Sequence, residues 1–238
     1  MLNKKNEIEA WLKKNNIENY ELIFDIDYGY VVNVNGDVNL SHKELSKIEV
    51  KFNEVKGNFY CNHNELRSLE GCPEVVRGLF NCSANQLETL KFTPKIIEKE
   101  MDCSYNDLDS LEGCPETING DFICLSNQLL TLNKSPKHIK GHFDCSYNEL
   151  ESLKGCPEIV EGTFNVSFND LKSLKNLPKK VNNNYINLIG NHHLDSFESF
   201  YNFEDLMNLL NALKEKEILN ESLKNNITSK EELIKKRI

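Results

Sequence analysis

Six asparagines stand at positions 64, 85, 106, 127, 148 and 169, each 21 residues after the one before. The protein's six prolines keep the same interval, at 73, 94, 115, 136, 157 and 178. A fixed period of this length restricts a chain to architectures in which one small unit stacks on copies of itself. Asn191 follows Asn169 after 22 residues, and Lys43 occupies the equivalent place one period before Asn64. About eight units therefore fill residues 37–197.

With the asparagine as origin, each column of the alignment has a character. Position −5 holds Val38, Phe59, Phe80, Met101, Phe122, Phe143, Phe164 and Ile186, and position −3 holds Leu40, Cys61, Cys82, Cys103, Cys124, Cys145, Val166 and Leu188. Residues two apart share a face of a strand. Leucine recurs at +2 (Leu66 to Leu171) and at +5 (Leu69 to Leu174), with Leu194 and Phe197 taking these roles in the last unit. Position −9 is Val or Ile from Val55 to Val181. Each unit thus predicts one short strand, a turn at the asparagine and a return path marked by proline. Stacked at about 4.8 Å per unit, about eight strands form one parallel sheet. No unit can bury its apolar face alone, so stability must come from neighbours and from caps.

The pattern F-x-C-x-x-N-x-L-x-x-L resembles the signature of leucine-rich repeat proteins, with Cys in place of the central Leu. The short, proline-bearing unit resembles the bacterial type, and SLEGCPEVVRGLFNCSANQLETL (68–90) resembles the "EGCP…CSxNxL" arrays of bacteria and their phages. The resemblance implies a leucine-rich repeat solenoid of the α/β class, mostly β. Its curved parallel sheet would lie on the concave side, with an extended convex side and helical caps at both ends. It also implies binding to other proteins through the variable positions, in one version as a phage-type inhibitor or adaptor acting on a host or defence protein. Gly-Cys-Pro appears only in alternate units, at 71–73, 113–115 and 155–157, a 42-residue superperiod that points to growth by duplication of pairs.

Residues 1–36 read as an N-terminal cap. Ile8, Trp11 and Leu12 have helical spacing, and Asn35-Gly36 between alternating residues predicts a hairpin that sets strand 30–34 antiparallel beside the first repeat strand. Residues 198–238 read as a C-terminal helical cap. Phe203, Leu206, Leu209, Leu210 and Leu213 share one helical face, and Ser229 with Glu232 forms a capping box for a last helix.

The net charge of −9 argues against nucleic acid and anionic membranes as partners, and no apolar run is long enough to span a bilayer. The charged N-terminus lacks a signal-peptide core, so a cytoplasmic location is expected, where cysteines stay reduced. Cysteine spacings of 10, 11 and 21 fit no compact zinc site. Small-hydrophobe packing is the expected role of the thiols. His192-His193 has no partner pattern, and neither a phosphate-cradling loop nor H-E-x-x-H is present. No catalysis and no cofactor are expected. A calcium site of Glu100, Asp102 and Asp121 is one alternative, and a structural or oligomeric scaffold subunit is another.

The columns left over should face solvent: −6, −4, −2, −1 and +1. These forty positions contain ten acids and not one Lys or Arg. Basic residues such as Lys95, Lys137, Lys140, Lys179 and Lys180 fall instead on the return path. An acidic concave face favours a basic protein surface and disfavours nucleic acid. The expected partner-binding residues are Tyr60, Glu100, Asp102, Tyr105, Asp121, Ile123, Leu125, Asp144, Tyr147 and Phe168. Ile123 and Leu125 make an apolar spot ringed by carboxylates, and the aromatics supply anchors.

Overall fold

In the computed structural model of the chain, residues 1–194, 201–216, 218 and 221 are described. The residues group into two units, Met1–Phe200 and Tyr201–Ile238.

In the first unit the repeat strands are Val38–Asn39, Phe59–Tyr60, Phe80–Asn81, Met101–Asp102, Phe122–Ile123, Phe143–Asp144, Phe164–Asn165 and Tyr185–Asn187. They pair in parallel and in chain order, with equivalent columns in register: Val38 opposite Phe59, Phe80 opposite Met101, Phe143 opposite Phe164. This is a parallel solenoid of the leucine-rich repeat kind. The −5 and −3 columns are fully buried from Val38 to Leu188. Inside, the Phe122, Phe143 and Phe164 rings stack at 5.5 and 5.4 Å with planes 2° and 8° apart. All eight cysteines are free thiols. Burial pushes the pKa of Cys82, Cys103, Cys124 and Cys145 well up, which keeps them protonated and unreactive.

The asparagines hold the turns. Each one from Asn64 to Asn191 donates Nδ2 to the carbonyl at −3 in its own unit and to the same carbonyl in the unit before. Its Oδ1 accepts the N–H of the preceding unit's +2 residue. These buried main-chain groups would otherwise be unpaired. Lys43 starts the series, its N–H bonded to Asn64 Oδ1 at 3.0 Å and its Nζ to the Asn15 carbonyl at 2.9 Å.

The return path is more ordered than an extended chain. Its −9 residues sit in short strands that form two further sheets, a mixed one ending at Ile96–Ile97 and a parallel one running from Thr117–Ile118 to Lys180–Val181. Here the N-terminal hairpin departs from expectation. Helix α1 (Lys5–Lys14) is present, with Trp11 edge-on to Phe52 at 6.3 Å. The hairpin, however, joins β1 (Tyr20–Asp25) to β2 (Gly29–Val34), and β2 pairs in parallel with Phe52–Val55 on the return side. No strand at 30–34 lies beside Val38–Asn39. The turn is made at 26–28, where Asp25 Oδ1 accepts the N–H groups of Asp27 and Tyr28 and Gly29 takes φ +79°. Val34 stands nine before Lys43, so it continues the buried −9 column.

In the second unit, Tyr201–Asn202 is extended and 203–216 is helical. Leu209 and Leu213 of the expected apolar face are exposed. Phe197 and the Ser229–Glu232 capping box lie outside the described residues.

Candidate interaction face

The outer side of the repeat strands divides into side chains that serve the fold and side chains that do not. At −4, Asn39, Asn81, Asp102, Asp144 and Asn165 each accept two bonds from the serine two residues later. For Asp102 these are Ser104 N–H at 2.9 Å and Oγ at 2.6 Å, and for Asp144 the same distances to Ser146. Such Asx turns fix the chain as it leaves the strand. They bury Ser83, Ser104, Ser146 and Ser167 to between 2 and 6% exposure, so the −2 column is not the solvent-facing row that alternation predicts. Asp102 Oδ2 also accepts from Asn81 Nδ2 at 3.3 Å, and Asp144 Oδ2 from Asn165 Nδ2 at 2.9 Å.

At −6 the side chains reach along the stack. Asp37 Oδ1 accepts Asn58 N–H, Asn58 Oδ1 accepts Leu79 N–H, and Asp121 Oδ1 accepts His142 N–H, at 2.7, 2.9 and 2.7 Å. Asp102, Asp121 and Asp144 therefore have structural duties. Among the described residues, no three His, Cys, Asp or Glu side chains are grouped to hold a metal ion, the Glu100, Asp102 and Asp121 set included.

Three units break the Asx–Ser rule, one of them only at the serine, where Ile189 follows Asn187 and donates its N–H alone at 3.1 Å; the other two change both positions. Ile123 and Leu125 replace the pair in one, Tyr60 and Asn62 in the other. Ile123 lies in register between Asp102 and Asp144, so a half-buried apolar side chain sits in the row Asn81, Asp102, Ile123, Asp144, Asn165. Glu100 is half-buried, and desolvation, with the charges of Asp121 and Asp102 adding to it, raises its pKa. A raised carboxylate pKa means that folding favours the protonated form. Its relative contribution is favourable at acid pH and is lost as pH rises through the folded pKa. Glu100→Gln is accordingly expected to raise the melting temperature at pH 7, with the gain shrinking towards pH 4 in thermal melts.

The −1 column carries the strongest departure from ordinary backbone. His42, His63, Ala84, Tyr105, Ser126, Tyr147 and Phe168 all have φ between 51° and 55°, a left-handed conformation that bulky residues rarely adopt. Tyr105, Tyr147 and Phe168 are 60, 54 and 44% exposed there. Tyr147 and Phe168 stack at 4.4 Å with planes 13° apart, and His42 and His63 approach to 4.3 Å. On the far side of each buried asparagine, the +1 residues Glu44, Glu65, Asp107, Glu149 and Asp170 are exposed. The structure thus places Tyr105, Tyr147 and Phe168 in one rim, with Tyr60 apart from them on the strand Phe59–Tyr60, and adds an acidic row beside the rim. That row was visible in the sequence as a column containing five acids and no Lys or Arg.

On the return side several cations are paired with carboxylates of neighbouring units. Arg77 bonds Glu54 and Glu98 at 2.8 and 2.6 Å, Lys95 bonds Glu74 at 2.6 Å, and Lys179 bonds Glu158 at 2.6 Å.

Among solved structures, the chain is similar to YopM from Yersinia enterocolitica WA-314, at 20% identity and a TM-score of 0.32 over 59% of this chain. The chain spans 45% of that protein's length. No family model matches the chain, and no curated protein matches it. No helix among the described residues is long and apolar enough to cross a membrane.

Proposed function

We propose that this protein is a protein-interaction module, without catalytic activity of its own, that binds a basic surface of a partner protein through the outer face of its repeat strands. The observation that carries this is the one-sided charge: the thirty-two positions of the −6, −4, −1 and +1 columns hold ten acids and no Lys or Arg, whereas Arg77, Lys95 and Lys179 on the return side are paired with carboxylates. Half-buried Ile123 and Leu125 and the exposed aromatics supply the apolar contact such an interface needs at its centre. Glu100 supports the reading, because a carboxylate that is partly desolvated, with the charges of Asp121 and Asp102 adding to the cost, works against the fold and needs a reason outside it. The array's likeness to phage-type repeats favours a role as inhibitor or adaptor in the cytoplasm, occupying a surface that its target otherwise uses for nucleic acid.

Reversing Asp102, Asp121 or Asp144 would confound recognition with folding. The informative variant is Glu100→Lys, Ile123→Lys and Leu125→Lys together, which leaves the ladder bonds in place. Affinity capture from the source cell at graded salt is expected to yield a stoichiometric basic protein, with affinity falling at least tenfold in the variant and with rising salt. A partner that binds the variant equally and ignores salt would overturn the reading.

A further inference from the structure

The 42-residue alternation that marks the return path also marks the rim. Units centred on Asn64, Asn106 and Asn148 present a ring at −1 and an acid at +1: His63 with Glu65, Tyr105 with Asp107, Tyr147 with Glu149. The units between them present a small residue and an amide, Ala84 with Gln86 and Ser126 with Gln128. Because Tyr147 stacks on Phe168 one unit further on, the plane of its ring is set across the direction of stacking. Its other face therefore looks over Ser126 towards Tyr105, which has the same φ of 53°.

Two steps of the stack, at about 4.8 Å each, separate Tyr105 from Tyr147. The observed ring spacing of 4.4 Å for one step gives nearly the same answer. A flat group lying in van der Waals contact with both rings needs about 7–8 Å. The gap over Ser126 therefore admits one planar side chain, and the gap over Ala84 is its counterpart between His63 and Tyr105. Each ring that borders a gap is followed two residues on by a carboxylate, Glu65, Asp107 or Glu149, of which Asp107 Oδ1 also accepts Gln128 Nε2 at 3.2 Å. A planar cation with several N–H donors, able to stack on aromatic faces and to bond carboxylates, is a guanidinium.

We propose that the rim reads arginine side chains of an extended partner segment, one in the gap over Ala84 and one in the gap over Ser126. This rests on the protein-binding reading above and deepens it. The gaps lie two units apart, about 9.6 Å. A polyproline-type chain advances about 9.3 Å in three residues, so the rim favours arginines at every third position.

The test is a fluorescence-anisotropy titration with a labelled peptide of four Arg-Pro-Pro triplets, against a peptide with four arginines in alternate positions. The first is expected to bind at least tenfold more tightly. Ser126→Tyr fills a gap with a further ring and leaves the charge unchanged, and is expected to weaken binding at least tenfold. Tyr105→Ser removes the ring common to both gaps with the same result. Serine already occupies this column at 126, so the fold accepts it, and circular dichroism checks that it does. Equal affinity for the two peptides, or a Ser126→Tyr variant that binds as tightly as the parent or more so, would show a merely adhesive acidic rim and overturn the proposal. A native partner lost from the Glu100, Ile123 and Leu125 variant but kept by Ser126→Tyr would overturn the gap proposal alone. A partner indifferent to both variants would remove the protein-binding reading as well.

Discussion

Phe143→Ala is expected to destabilise the repeat array by about 4 kcal/mol, within the range for emptying a buried aromatic site. Phe143 is fully buried and stacks on both sides, against Phe122 and Phe164. Removing it withdraws apolar area, leaves a cavity and cancels two ring contacts, each contributing about 0.5–1.5 kcal/mol. The cavity cannot easily collapse, because the neighbouring rings hang from strands fixed by main-chain bonds such as Cys124 N–H to the Asp144 carbonyl at 2.8 Å. Phe143→Met is expected to cost far less, about 1.5 kcal/mol or under, since Met101 fills the same column two units earlier, also fully buried. Urea denaturation followed by circular dichroism checks both. A Phe143→Ala midpoint as high as that of Phe143→Met would contradict the account. The site also lies within the stack, so the alanine variant is expected to broaden the transition, because contacts in a repeat array pass only between neighbours.

The second large effect is expected at Asn106. Its amide donates to the Cys82 and Cys103 carbonyls at 3.1 Å each, and its Oδ1 accepts Leu87 N–H at 3.0 Å. Asn106→Ala orphans the buried Leu87 N–H, at about 1–3 kcal/mol, and takes one of two bonds from each carbonyl, since Cys82 keeps Asn85 Nδ2 and Cys103 keeps Asn127 Nδ2, each lost bond contributing about 0.5–1.5 kcal/mol. A loss of about 3 kcal/mol is expected by denaturant titration. Asn106→Asp separates the two halves of the role. The carboxylate can still accept from Leu87 but cannot donate, and it brings a buried charge. It is therefore expected to be at least as damaging as alanine at pH 7 and to recover towards acid pH, where a protonated carboxyl regains one donor. An Asp variant as stable as the parent at pH 7 would show that the donated bonds contribute little.

The parts of the fold that were legible in the sequence are the parts that every unit copies. Phe, Cys, Asn and Leu recur because each column lies over itself in the stack, so period and residue type together specify burial. The serines at −2 illustrate what this logic misses. Their polarity and strand alternation point outwards, yet an acceptor two residues earlier in the same unit lets Ser104 and Ser146 be buried without loss. The pairing was there to be read, since two of the three exceptions change both members, Ile123 with Leu125 and Tyr60 with Asn62. The hairpin was misplaced because Asn35-Gly36 is a strong local turn signal, whereas Val34 belongs to a column recognisable only across units. Of the expected site, Ile123, Leu125 and the rim aromatics lie on the face without ladder bonds. Asp102, Asp121 and Asp144 proved to be inseparable from the scaffold. The left-handed backbone beneath Tyr105 and Tyr147 had no sequence signal, because the residues at that column are not the Gly or Asn that advertise such a conformation.

That left-handed column makes the array a writable surface. Backbone shape at the turn is imposed from below by the asparagine series, so the residue above it is relieved of any conformational role. His, Ala, Tyr, Ser and Phe occupy the position at nearly one φ. Glycine would relax the turn at most of these places, by an amount on the order of 1 kcal/mol each, yet among the eight units only Gly190 takes that option. New binding specificities should therefore be obtainable by exchanging letters at this single position per unit, with the chassis underneath unchanged.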